Sequence, residues 1–384
     1  MQMQNFRIRF ALAALPLLLS FAAQAQMKVG VIASATGPTA VVGIPQKNTV
    51  ALLPKKIGSV DVEYTFYDDA SDSSQTVALI KKLLLDNVDA IIGPSGSPNS
   101  MAALQFVAEA KTPMLAPVGT TAVVLPMDEQ KRWVFKTTQN DDLICSALVA
   151  HMTKHGVKTL GFIGFNDAYG ESWYRVLVPM IEKAGIKLVA NERFQRTDQS
   201  VTGQAAKIIA ANPDAVLVGA AGGPTVLPQT TLVERGYKGQ IYQTHGAATP
   251  DFMRLGGKSV EGTVMAASLM LVLDQIGDAN PSKKVALDYI GAYEKIYGAK
   301  PATFGANVYD AGLLLQRAVP EALKKGKPGT AGFRAALRDA LEQTRELVGT
   351  QGVYTMTAAD HSGFDRRGRE LMQLKDGAWR LIPE

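Results

Sequence analysis

Three short stretches rich in glycine, serine and threonine are where this chain is equipped to bind something: Ser34 to Pro38, Gly93 to Pro98 and Ala116 to Thr121. Each follows an apolar run, and in open α/β sheets ligands settle beyond the carboxyl ends of strands. None of the three supplies a lysine or an arginine. An anion held there must rely on hydroxyls, backbone amides and a helix dipole. Ser97 reads as an N-cap with Pro98 at the first helical position, so that the N–H groups of Asn99 and Ser100 face whatever lies beyond the helix start. The same spacing fits a serine that only caps its own helix.

The signatures of catalysis are missing. Gly256-Gly257-Lys258-Ser259 mimics the end of a phosphate loop, but Phe252 stands where the first glycine is needed. The glycines at 219, 222 and 223 follow a strand without the spacing of a dinucleotide fingerprint, and read as a tight loop with little side-chain bulk. His151 and His155 stand at i, i+4 on a predicted helix, yet no acidic or cysteine ligand lies close in sequence, so a solvated pair is expected rather than a metal site. Cys145 is the lone cysteine, which excludes an internal disulfide, and it lacks a local catalytic signature. With no nucleophile elbow either, the reading is a protein without enzymatic activity, cofactor or metal.

The elements that would position these loops alternate regularly. Strands are predicted at Lys28 to Ser34, Val62 to Asp68, Ala90 to Gly93 and Pro113 to Val118, with helices at Ile44 to Pro54, Ser73 to Asp86 and Met101 to Ala110 between them. A second series has strands at Thr159 to Phe165, Lys187 to Val189, Ala215 to Val218 and Gln240 to Thr244, with helices near 143 to 155, 170 to 184, 202 to 211 and 224 to 235. This is a βαβ pattern, and it predicts an α/β fold of two doubly wound, Rossmann-like lobes. Helices near 282 to 297, 306 to 324 and 330 to 346 have no strands to form a third domain with, so they are expected to return to the first lobe. Asp376-Gly377 between alternating residues predicts a closing hairpin.

Location follows from the first 25 residues. Arg7 and Arg9 precede an apolar run, Phe10 to Ala22, which ends in Ala23-Gln24-Ala25, a pattern expected of a cleaved secretory signal peptide. No cysteine follows it for a lipid anchor, and no later segment is long and apolar enough to span a membrane. About 360 residues of the 384 then remain, more than one hydrophobic core usually organises. The net charge of +5 is spread along the chain, which argues against a nucleic-acid surface.

Several motifs in order now add up to a resemblance. Gly37-Pro38 with Gly43, Tyr67-Asp68-Asp69, Ile91-Ile92-Gly93-Pro94, Ala116-Pro117, Asp167 to Glu171 and Val308 to Ala311 together resemble the leucine/isoleucine/valine-binding protein family. These are type I periplasmic solute receptors of ABC importers. The resemblance implies two lobes joined by three crossover strands, near Phe135 to Thr138, Val264 to Ser268 and Leu347 to Gly352. Lobe 1 would take residues 26–136 and 266–346, and lobe 2 residues 137–265 and 347–384. It also implies a periplasmic monomer that closes on a small ligand and delivers it to a membrane permease and ATPase.

Carried over residue by residue, the family's carboxylate-binding positions fall on Ser97, the backbone of Val118, and Thr120, and its second-lobe aromatic falls on Tyr169. His245 occupies the position where amino-acid binders hold an ammonium with an acidic side chain. Val42 and Ala221 or Gly222 stand where those proteins often have tyrosines. A neutral imidazole gives or accepts a hydrogen bond but cannot replace a carboxylate's charge. The first-helix region also lacks the Asn-x-x-Gly-Gly segment of amino-acid binders, and is similar to the branch associated with benzoates and cinnamates. The expectation is a receptor for a small, aromatic carboxylate. Its alternatives are a branched-chain amino acid receptor and a ligand-sensing module that signals to a partner. A His245 turned out to solvent would remove the distinction.

Overall fold

Strands that are apolar on both faces need cover on both faces, and the chain supplies it twice. A computed structural model describes residues 26–384; the signal peptide assigned to 1–25 lies outside the described residues. The first series runs β1 (Met27–Ala33), α1 (Ala40–Thr49), β2 (Lys56–Ile57), β3 (Val60–Asp68), α2 (Ser73–Leu85), β4 (Ala90–Ile92), α3 (Ser97–Glu109), β5 (Met114–Ala116) and β6 (Val134–Lys136). The second runs α4 (Asp141–Lys154), β7 (Thr159–Phe165), α5 (Ala168–Lys183), β8 (Lys187–Phe194), α6 (Thr202–Ala211), β9 (Ala215–Gly219), α7 (Val226–Glu234), β10 (Gln240–Gln243), α8 (Pro250–Gly256) and β11 (Val264–Ala267). The chain closes with α9 (Pro281–Tyr297), α10 (Thr303–Leu323), α11 (Ala331–Glu342), β12 (Leu347–Val348), β13 (Val353–Tyr354), β14 (Glu370–Lys375) and β15 (Ala378–Leu381).

Two mostly parallel sheets result, in the orders β2-β3-β1-β4-β5-β6 and β15-β14-β11-β10-β9-β7-β8. In the first, β1 pairs in parallel with both β3 and β4, and only Lys28 of its seven residues is exposed. One face packs Val31, Ile92 and Phe135 against Leu314 and Phe333 of α10 and α11; the other packs Ile32 and Ile91 against Ile80 and Leu104 of α2 and α3. The second lobe buries Phe162, Val216 and Tyr242 with Trp173 and Leu148. Helix α9 also returns to the first lobe, where Tyr289 meets Thr49 Oγ1 at 2.9 Å and Asn48 Nδ2 donates to Tyr293 at 2.9 Å.

Differences from the predicted elements lie mainly at boundaries. The first helix begins at Ala40, four residues early, because Pro45 is accommodated within its body rather than at its start. Two short antiparallel pairs, β2 with β3 and β12 with β13, had no alternating pattern to announce them. The segment after α11 also stays with the first lobe longer than the resemblance implied. Leu347, Tyr354, Met356 and Phe364 pack in that core, and the chain joins the second sheet at β14, antiparallel to β11.

At Gly43 the backbone of α1 runs against the end of β1. A β-carbon there lies 2.0 Å from Ser34 O, a backbone atom that cannot move aside without breaking the sheet. Gly43→Ala should therefore cost about 1–3 kcal/mol, as overpacking does. Exposed Gly291 within α9 meets nothing within 4 Å, and Gly291→Ala should stabilise by about 0.5–1 kcal/mol. Urea midpoints of the two variants check both signs.

Candidate ligand-binding site

The carboxyl ends of both sheets face one cavity, with about 440 Å³ of unfilled space including the solvent at its mouth. From the first lobe come Thr39 and Val42 of α1, Ser95 to Ser97 after β4, and Pro117 to Gly119 after β5. Tyr169, Arg196, Ala221, His245 and Gly246 face them from the second lobe. Thr138, in the first crossing, and Phe304, at the start of α10, complete the wall.

Six of the residues singled out in the sequence therefore line one space: Ser97, Val118, Tyr169, His245, Val42 and Ala221. Two do not. Thr120 is buried with its hydroxyl turned to local work, accepting from Ala122 N at 3.3 Å to cap the turn Thr121–Val123. Gly222, at φ +72°, is placed so that a β-carbon on it lies 3.7 Å from Val42 Cγ2 across the cleft. Ser97 is also one residue deeper into its helix than its spacing suggested. Gly96, extended at φ −98° and ψ 143°, occupies the cap, and Ser97 begins the helix without capping it. Ser100 N is accordingly engaged with Gly96 O at 2.8 Å, so the amide expected to be free there is not.

Asp167 organises the second-lobe wall. As N-cap of α5 it accepts from Tyr169 N at 2.8 Å and Gly170 N at 3.3 Å, which sets Tyr169 in the first turn, aimed inward. Its other oxygen pairs with Arg196 Nε at 2.6 Å, while the guanidinium lies 4.2 Å from the centre of the Phe165 ring. Arg196 was missed from the sequence. The strand-end rule that found Ser97 applies equally to the second lobe, and Arg196 sits two residues past the end of β8.

The electrostatics of the wall are one-sided. Among the described residues Arg196 is the one charged side chain on it, already paired with Asp167, and no aspartate or glutamate lines it. His245 is buried, and burial, with the Lys136 charge adding to it, pushes its imidazole down to about 3. It is neutral at physiological pH. Its Nδ1 has no partner among the described residues, and its ring stands 5.7 Å from that of Trp173 and 6.3 Å from that of Tyr169, centre to centre. The Tyr169 hydroxyl donates to Thr244 Oγ1 at 2.9 Å, and burial pushes its ionisation up. Behind Gly119 lies Lys136, fully buried, donating to Gly119 O at 2.6 Å, Asn140 Oδ1 at 2.6 Å and Gln139 O at 3.2 Å. The other histidine pair lies elsewhere: His151 and His155 stack at 3.9 Å, His151 bonds to the Tyr242 hydroxyl, and no metal-holding cluster occurs among the described residues.

The chain matches the family model described as periplasmic binding protein over residues 26–378. It is 44% identical to an extracellular ligand-binding receptor from Rhodopseudomonas palustris HaA2, whose crystal structure superposes with a TM-score of 0.91 over 94% of this chain and 100% of that one. A Leu/Ile/Val-binding protein homolog of Brucella melitensis is 22% identical over 93% of each chain. A solute-binding protein of an R. palustris ABC transporter, solved in complex with benzoate, is 20% identical with a TM-score of 0.78 over 93% of this chain and 95% of that one, a likeness of fold.

The buried imidazole makes stability depend on pH with a definite sign. Its pKa falls on folding, so between about 6.5 and 3 the unfolded chain takes up a proton that the folded one refuses. Stability from this group is therefore complete above about pH 6.5 and is lost as pH falls. At pH 5 the loss amounts to about 2 kcal/mol. The drop in unfolding free energy between pH 7 and pH 5 should be smaller by about that amount in His245→Gln than in the wild type.

Proposed function

The chain belongs to the periplasmic binding protein family, and on that premise we propose that it captures a small monocarboxylate with an apolar, aromatic body and hands it to a membrane permease and its ATPase. The observation that supports this reading is the charge inventory of the described lining residues: one arginine, already paired with Asp167, a neutral histidine, and no carboxylate to answer an ammonium. An α-amino acid brings an ammonium as well as a carboxylate, and an unpaired buried ammonium is strongly disfavoured. A monocarboxylate brings no ammonium to leave unpaired.

In this reading the carboxylate lies at Ser97 and the backbone after β5, with Arg196 reaching it from the second lobe. Charged-group hydrogen bonds of that kind contribute about 1.5–3 kcal/mol each. Val42, Pro117, Phe304 and Ala221 flank the body of the ligand, and Tyr169 with His245 reads its far end. Thr120 supports the loop from behind. Secretion through residues 1–25 would place the protein in the periplasm, and it would act as a monomer that binds without catalysing. The benzoate held by the structural neighbour agrees with the ligand class, but that likeness concerns the fold. A branched-chain amino acid is the second reading, favoured by the names of relatives 22–25% identical.

Titration calorimetry with 4-hydroxybenzoate, benzoate and leucine separates the two. The aromatic acids should bind and leucine should not; a preference for leucine overturns the aromatic reading. Ser97→Ala and Arg196→Gln should each weaken the acid about tenfold or more while the fold persists. Unchanged affinity in both would put the anion elsewhere.

A further inference from the structure

Three glycines line the cavity, and they are glycines for different reasons. A β-carbon on Gly96 meets Asn99 Oδ1 at 2.5 Å, and one on Gly246 meets Ala220 O at 2.3 Å, each a neighbour in its own lobe. On Gly119 the nearest atoms are His245 Nε2 at 2.5 Å, His245 Cε1 at 2.8 Å and Asp141 Oδ1 at 2.9 Å. All three belong to the opposite lobe, since Asp141 opens α4 and His245 follows β10. We infer that Gly119 is a closure residue, a first-lobe position kept bare so that the second lobe can seat on it when the cleft shuts.

Both sides are packed in place. The His245 ring is buried beside Trp173, itself fully buried, and Asp141 is held by Ser172 Oγ at 2.5 Å. From below, Lys136 fixes the carbonyl of Gly119 itself at 2.6 Å. The backbone of Gly119 is not in the left-handed region, so alanine is conformationally acceptable there and the penalty is steric alone. With the lobes apart, the His245 ring leaves and the tightest contact of a methyl at 119 is relieved, while Asp141, next to the Asn140 that Lys136 ties to Gly119, stays near. Substitution therefore acts chiefly on the closed form. A ligand that needs the closed form then binds more weakly by the fraction of closed protein that is lost.

This rests on the proposed reading of the cavity as the ligand site, and the test keeps the two separable. Spin labels at Leu85→Cys on the first lobe and Lys183→Cys on the second, both exposed, report the lobe separation, while native Cys145 is buried and stays unlabelled. Distance distributions and thermal midpoints are measured for the wild type, Gly119→Ala and Gly246→Ala, without ligand and with 4-hydroxybenzoate, benzoate or leucine. Gly246→Ala, clashing within its own lobe, should lower the ligand-free midpoint. Gly119→Ala should leave that midpoint near the wild-type value, lose the short-distance population and bind the responding probe at least tenfold more weakly. Closure of Gly119→Ala to the wild-type distance, or a ligand-free midpoint lowered as far as that of Gly246→Ala, overturns the inference. If no probe binds the wild type, the ligand reading falls, and the ligand-free distributions still decide. A short-distance population present in the wild type and absent from Gly119→Ala supports closure control, and identical distributions overturn it.

Discussion

A single ammonium group, on Lys136, holds the binding loop and the first crossing in one piece. An ammonium has three protons to give, and this one finds three oxygens: Gly119 O in the loop after β5, then Gln139 O and Asn140 Oδ1 in the crossing. Burial lowers its pKa, while Asp141, also fully buried, opposes that shift. The converse holds for Asp141, which burial raises and Lys136 lowers. Removing the ammonium would leave three buried oxygens without their donor and Asp141 without the charge that lowers its pKa. Burial is the main cause of the lowered His245 pKa, and the Lys136 charge adds to it, so the histidine's character is set partly from across the cleft.

The crossings are themselves tied together. Thr137 O lies 2.9 Å from Asn307 Nδ2 and 3.2 Å from the Tyr354 hydroxyl, and Gln139 Nε2 donates to Gly368 O at 2.7 Å. The Tyr354 hydroxyl also lies 2.9 Å from Asp310 Oδ2, whose partner oxygen takes both the amide and the hydroxyl of Thr350 at 2.8 Å. One hydroxyl proton cannot serve Thr137 and Asp310 at once. Burial pushes the Asp310 carboxyl up to about 7, against the hydrogen bonds from Thr350 and Tyr354, which lower it. The hinge region is thus a bonded network in which the first and third passages share partners.

Much of this was legible from residue order, for physical reasons that differ by element. The strands of the two parallel sheets announce themselves because they are apolar on both faces, and the helices because their periodicity is 3.6. The strand-end rule points to the segments that hold Ser97 and Val118, since it depends on topology and not on side-chain detail, whereas His245 comes from the family resemblance. Arg196 answers to the same rule in the second lobe. Lys136 was invisible: a lysine at the end of a strand looks like any solvated lysine until three distant oxygens are brought to it by folding. Thr120 is assigned to the carboxylate by the resemblance; its hydroxyl also accepts from Ala122 N in a local turn that sequence order does not reveal. The pairing of β12 with β13 is short and rests on Asp310, more than thirty residues earlier.

The way the chain is threaded has a consequence for how the protein comes into being. The core of the first lobe includes Leu314, Phe333, Tyr354 and Met356, and the second sheet is finished by strands ending at Leu381. Neither lobe can therefore seal while the chain is still short. At roughly 5–20 residues per second, a ribosome needs on the order of half a minute or more to deliver the last of these segments. Until then β1, whose native partners include both β3 and a helix layer made of residues beyond 300, has an exposed face that nothing covers. A polypeptide built in this order stays unsealed through most of its synthesis. That is the condition in which it can be threaded, extended, through a narrow channel, and its long-range topology makes the delay intrinsic.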